Sequence, residues 1–119
     1  MTAEPPATGS AGAASPRAAF ERMLAAGKDS PLLRYSLGNE CLKAGEADAA
    51  VEHFARAVAL DARYTAAWKM LGKAQQAAGH DDQALAAWRR GIEVAHVRGD
   101  KQAEKEMTVF ARRIERRLG

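Results

Sequence analysis

Residues 31–64 read PLLRYSLGNECLKAGEADAAVEHFARAVALDARY, and residues 65–98 read TAAWKMLGKAQQAAGHDDQALAAWRRGIEVAHVR. Laid one above the other, the two 34-residue stretches share seven identities: Leu37/Leu71, Gly38/Gly72, Ala44/Ala78, Gly45/Gly79, Asp48/Asp82, Ala50/Ala84 and Arg56/Arg90. Other pairs keep size or apolar character, among them Val51/Leu85, Phe54/Trp88, Val58/Ile92 and Leu60/Val94. An alanine-rich chain matches alanines by chance, but not glycines and aromatics in one register. The period reaches upstream as well. Phe20, Phe54 and Trp88 lie 34 residues apart, as do Leu24, Val58 and Ile92. A repeat of this length marks a solenoid, in which each unit buries its apolar face against its neighbours.

Helix signals fill the period. Ser15-Pro16 and Ser30-Pro31 each place a capping residue before a proline at the first helical position. The first opens a helix through Phe20, Met23 and Leu24 to Gly27; the second opens one through Leu33, Leu37 and Cys41 to Gly45. Asp48 is expected to open a helix with Val51, Phe54, Val58 and Leu60 on one face, and Asp82 another with Leu85, Trp88 and Ile92. Between them, a helix through Trp68, Leu71 and Gln75 stops at Gly79. After Gly99-Asp100, a stripe of Ala103, Met107, Phe110, Ile114 and Leu118 predicts a last helix. No alternating β-branched run bounded by turns predicts a strand.

The organisation that follows is a flexible Ala/Pro/Gly/Ser-rich tail over 1–15, a half-repeat over 16–30, repeats over 31–64 and 65–98, and a capping helix over 99–119. The tail carries one charge and no aromatic residue, too little apolar surface to offset its ordering entropy. At 119 residues the chain holds one domain at most. Its lone cysteine, Cys41, rules out an intramolecular disulfide and suits a reducing compartment. No apolar run approaches the roughly 20 residues that span a bilayer. Glu4, Pro5 and Pro6 stand where a signal peptide needs a basic start and an apolar core, so a cytoplasmic location is expected.

The repeat resembles the tetratricopeptide repeat, whose pattern is Trp-x2-Leu-Gly-x2-Tyr, then Ala-x3-Phe, then Pro, over 34 residues. The second repeat carries Trp68-x2-Leu71-Gly72 and Ala84-x3-Trp88; the first carries Leu37-Gly38 and Ala50-x3-Phe54. Departures are Cys41 and Gln75 at the tyrosine position, Ala62 and His96 at the proline, and Arg34 at the first tryptophan. Without the proline, the helix of the second repeat is free to run on to Arg98. The resemblance implies an all-α, right-handed solenoid of antiparallel helix pairs, about six helices with the flanks included. Gly38 and Gly72 would let paired helices approach, Ala50 and Ala84 would leave room at the crossing, and Phe54 and Trp88 would fill the space toward the next repeat.

Chemistry-bearing constellations are sparse. His53, His80 and His96 never fall at i+3 or i+4 of one another, and His80-Asp81-Asp82 reads as a turn and helix start rather than a metal site. Cys41 falls on a packed face, with no base nearby in sequence to activate it. No phosphate loop, nucleophile elbow or paired carboxylates occur. Neither a catalytic role nor a cofactor is implied.

Binding surfaces remain. In the family, the first helix of each repeat lines a concave face that receives partner peptides. The resemblance places Tyr35, Asn39 and Leu42, then Lys69, Lys73 and Gln76, on that face. Helical spacing agrees, since Tyr35, Asn39 and Leu42 follow i, i+4, i+7 on a face displaced from Leu33, Leu37 and Cys41. Tyr35 would offer an amphipathic contact, Asn39 a paired donor and acceptor, and the lysines attraction for carboxylates. One subclass clamps chaperone tails with Lys and Asn; here the matching positions are Tyr35, Asn39, Met70, Asp100 or Lys101, and Glu104 or Lys105, of which only Asn39 fits.

The second surface is basic. Residues 97–119 hold seven basic against four acidic side chains, which accounts for the whole net charge of +3. Arg112, Arg113, Arg116 and Arg117 fall on one face of the last helix, opposite its apolar stripe. They read either as a solvated outer face that favours the helix C-terminus or as a patch for an acidic peptide, nucleic acid or anionic surface. The absence of interleaved aromatics counts against single-stranded nucleic acid. A peptide or protein partner in the groove is therefore the leading expectation, with the arginine face as the alternative and self-association through a poorly shielded helical end as a third.

Overall fold

Four glycines punctuate the chain. Gly27, Gly45, Gly79 and Gly99 adopt φ between 75° and 85°, the left-handed geometry that ends a helix and that a side chain resists. The computed structural model describes residues 15–119, and among these the segments between the glycines are six α-helices with no strand. They are α1 (Pro16–Ala25), α2 (Pro31–Lys43), α3 (Ala47–Leu60), α4 (Thr65–Ala77), α5 (Asp81–Arg98) and α6 (Lys101–Leu118). The expected tail over 1–15 lies, apart from Ser15, outside the described residues.

Two helix starts differ from expectation by a residue or so. Helix α3 begins at Ala47 and α5 at Asp81, so Asp48 and Asp82 sit within the first turn rather than before it. There their carboxylates meet the positive end of the helix dipole instead of capping an amide. Ser30 caps α2 as read, its hydroxyl accepting from Leu33 N at 3.1 Å. Ser15 precedes Pro16 but makes no side-chain capping bond. Helix α5 does run on to Arg98, one turn longer than α3, which ends at Leu60 although Ala62 likewise stands where the family has its proline.

Each helix packs against the next, α1 on α2, α2 on α3, α3 on α4, α4 on α5 and α5 on α6, while α4 also touches α2 on one side and α6 on the other in one layer. The paired glycines explain the spacing. A Cβ on Gly38 would lie 2.6 Å from the Phe54 ring, and one on Gly72 would overlap Nε1 and Cε2 of the Trp88 indole. Phe54 and Trp88 thus occupy the side-chain space that glycine vacates, and both are essentially buried. One core gathers Cys41, Phe54, Ala57, Val58 and Leu71; a second gathers Leu85, Trp88, Met107, Ala111 and Ile114; Trp68 packs against both.

The last helix departs from the period. Ala67 and Leu71 of α4 are matched in burial by Ala103 and Met107 of α6, 36 residues on rather than 34. The extra turn of α5 delays α6 by those two residues. Gly91 then admits α6 closely, for a Cβ there would meet Met107 Sδ at 2.5 Å and Trp68 Cβ at 2.8 Å. Leu118, read as the end of the packed stripe, is instead 57% exposed, because the helix runs past the body of the array.

Candidate functional site

The layer of first helices carries two hollows, one at each seam. Between α2 and α4, Asn39, Leu42, Lys43 and Met70 line a depression of about 420 Å³. Between α4 and α6, Lys73, Gln76, Trp88, Phe110 and Arg113 line a tighter cavity of about 180 Å³. The six groove residues expected from sequence are thus divided. Asn39 and Leu42 line the first hollow, Lys73 and Gln76 the second, and Tyr35 and Lys69 line neither.

Tyr35 is half-buried in an aromatic trio. Its ring meets Phe54 edge-on at 5.9 Å and lies 5.0 Å from Tyr64. The sequence placed it on an exposed face; the neighbouring Tyr64, at the turn into the second repeat, folds over and makes it part of the core. Leu42 also packs partly against that core while its edge borders the hollow.

Lys69 was expected to attract a partner's carboxylate, and it finds one within the chain. Its ammonium sits 3.0 Å from Glu106 of α6. That contact and a Gln102 bond hold the Glu106 carboxyl below its ordinary range, the Lys69 hydrogen bond being the larger cause. Lys73 has a different neighbour. Its ammonium stands 5.0 Å over the Phe110 ring, a cation–π geometry that leaves its charge free toward solvent. Phe110 in turn lies 5.2 Å from the Trp88 indole, whose N–H donates to the Lys69 carbonyl at 3.0 Å.

The four residues of the arginine face are all exposed on α6 but have different neighbours. Arg117 reaches back to Asp81 at 2.9 Å, while Arg113 turns toward Lys73 and Gln76 at the second hollow. Arg112 and Arg116 remain exposed on α6. Exposed pairs of the Arg117–Asp81 kind contribute little to stability. Met70, Phe110 and Arg113 are lining residues that the repeat pattern alone did not assign to the groove. The signal that finds Phe110 and Arg113 is the length of α5, which sets where α6 falls.

Cys41 is 1% exposed, and burial pushes its thiol pKa upward, away from the thiolate a nucleophile needs. Among the described residues no three His, Cys, Asp or Glu side chains gather as metal ligands. Nor is any helix among them long and apolar enough to cross a membrane.

Over 97 residues the chain is 54% identical to TPR repeat-containing protein PA0015 of Pseudomonas aeruginosa, an alignment that takes in 82% of this chain and 92% of the relative. The chain belongs to the tetratricopeptide repeat family. The solution structure of protein BPP2914 from Bordetella parapertussis resembles it with a TM-score of 0.75 at 41% identity, over 87% of this chain and 90% of that one. The crystal structure of a tetratricopeptide repeat domain protein from Salinibacter ruber does so with a TM-score of 0.68 at 30% identity, over 73% and 97% respectively. Compared with models of protein families, the chain matches none. Tetratricopeptide repeats generally serve as protein-interaction modules rather than catalysts, and the six-helix array has the architecture for that role.

Proposed function

We propose that this chain is a non-catalytic interaction module that receives a peptide or partner protein across the layer formed by α2, α4 and α6. The observation that carries the reading is the hollow at the α2–α4 seam, where Asn39 and Leu42 meet Met70. It combines an amide able to bracket a peptide bond with two apolar side chains, the mixture expected of a site that holds an extended chain. The outer layer of α3 and α5 offers exposed charge already engaged in pairs such as Arg89–Glu115 and Arg90–Glu93. A cytoplasmic setting fits the single buried thiol of Cys41.

Site-specific photo-crosslinking tests the reading without disturbing the core. A photoactivatable residue at Gln76, exposed on α4, should trap a partner in cells. The same residue at Glu52, exposed on α3, should not. Equal trapping from Glu52 would move the interaction to the outer layer and sink the proposal.

A further inference from the structure

The two hollows constrain what the groove accepts, and they do so differently. The first is bordered by Leu42 and Met70 and suits an apolar side chain. The second has a floor of two aromatic rings, Trp88 and Phe110, and a rim of Lys73, Arg113 and Gln76. Lys73 and Arg113 are exposed, and among the described residues neither ion-pairs with a carboxylate, in contrast to Lys69 with Glu106 and Arg117 with Asp81. Glu106, which also feels the Lys73 charge at longer range, is hydrogen-bonded by Lys69 and Gln102 rather than by Lys73. Two unpaired cations and one amide donor, gathered over apolar walls, form a receptor for one carboxylate carried on a short aliphatic stem.

Neighbouring seams of a helical layer lie about one interaxial distance apart, about 8–10 Å. An extended chain advances about 3.3 Å per residue, so a segment crossing the layer spans the two hollows with about three residues. Resting on the groove reading above, we infer that the partner segment is an extended acidic peptide. It seats an apolar side chain at Leu42 and Met70 and, about three residues along, a glutamate or aspartate side chain between Lys73 and Arg113. One of the two cations, Arg113, and one of the two floor rings, Phe110, come from the capping helix, so that helix selects the ligand as well as closing the array.

The test uses the full chain labelled with 15N and short peptides with acetylated N-termini and amidated C-termini. Each is a Gly/Ser sequence with one Leu and one Glu three positions apart. Resonances of Asn39 and Met70 should move together with those of Lys73, Gln76, Phe110 and Arg113. Exchanging Glu for Gln should weaken binding by about fivefold or more, and moving Glu next to Leu should do the same. In the Lys73→Gln/Arg113→Gln variant, folded as judged by an otherwise superimposable spectrum, the Glu and Gln peptides should bind alike. Equal binding of the two peptides to the unaltered chain would overturn the inference. If Leu alone still shifted Asn39 and Met70, the groove reading would survive that failure; shifts confined to α3 and α5 would remove both. No shift at millimolar peptide refutes the inference and leaves the crosslinking experiment to judge the groove. A single-stranded oligonucleotide that moves the Lys73 and Arg113 resonances more strongly than the Glu peptide would also overturn it, in favour of phosphate recognition.

Discussion

Replacing Gly72 with alanine sets two calculable effects against each other. In an open helix the change stabilises by about 1 kcal/mol, since glycine is a poor helix former. Here the new methyl would overlap Trp88 Nε1 and Cε2, with Cδ1 at 2.6 Å. The indole has nowhere to retreat. It is 1% exposed, its N–H is bound to the Lys69 carbonyl at 3.0 Å, and its ring lies 5.2 Å from Phe110. Overpacking of this kind costs about 1–3 kcal/mol, and meeting three ring atoms places it at the upper end. The expected net loss is about 1–2 kcal/mol. With Trp88 already replaced by leucine the obstruction is gone, and the same Gly72→Ala change should stabilise by about 1 kcal/mol. The two positions should therefore couple by about 2–3 kcal/mol. Urea unfolding followed by far-UV circular dichroism on all four proteins measures this, provided they share one slope. Additive effects, or a Gly72→Ala protein more stable than the parent, would show that α4 and α5 do not meet there and would refute the packing argument.

Trp88→Ala should cost about 3–5 kcal/mol, the usual loss for a large buried aromatic, and leave the array close to unfolded at physiological temperature; an unchanged melting midpoint would contradict its place in the core. Helix α1 buries no residue fully and is tied to the array by the Arg17 fork on Glu46 at 2.7 and 2.9 Å, so Arg17→Gln should speed hydrogen exchange in α1 alone, and uniform acceleration throughout the chain would count against this. His53 has its pKa held below the ordinary 6.5, first by burial and then by the Arg34 guanidinium 3.2 Å away. A depressed folded value means the unfolded chain takes up the proton first. Stability should therefore be full above pH 6.5 and fall as the pH drops from there toward the folded value, before the lowered carboxyls of Asp29 and Glu46 respond nearer pH 4. His53→Gln should remove that early fall, which thermal melts across this range would detect.

The repeat itself was legible because its determinants are local or strictly periodic. Glycine at Gly38 and Gly72 opposite Phe54 and Trp88, and left-handed glycines at helix ends, are backbone requirements that a sequence states directly. Cys41 fell where its helical spacing put it, in the core. Exposure of single side chains was less legible, because it depends on what a neighbouring element lays over them. Tyr35 occupies an i, i+4, i+7 face with Asn39 and Leu42, yet Tyr64 closes over it. Lys69 and Lys73 are equivalent to the eye in sequence, one helical turn apart, but Glu106 neutralises the first and Phe110 underlies the second. Both neighbours lie on α6, where the period no longer guides the reading.

The same broken period accounts for the convergence of two surfaces that the sequence keeps apart. With α6 in strict 34-residue register, Phe110 would correspond to Gln76, on the outer rim of the groove, and Arg113 to Gly79, beyond the end of the helix. The longer α5 moves the correspondence by two residues. Phe110 then matches Ala74, a fully buried position facing α5, and its ring reaches Trp88; Arg113 matches Ala77, still helical and beside Gln76. The extra turn of α5 thus does more than lengthen a helix. It sets an aromatic floor under Lys73 and carries one arginine of the basic face over to the groove. A cap needs only a polar outer face and an apolar inner one to keep the array soluble. Phe110 and Arg113 lie at the seam between those faces, and there the identity of the residues bears on what the groove can hold.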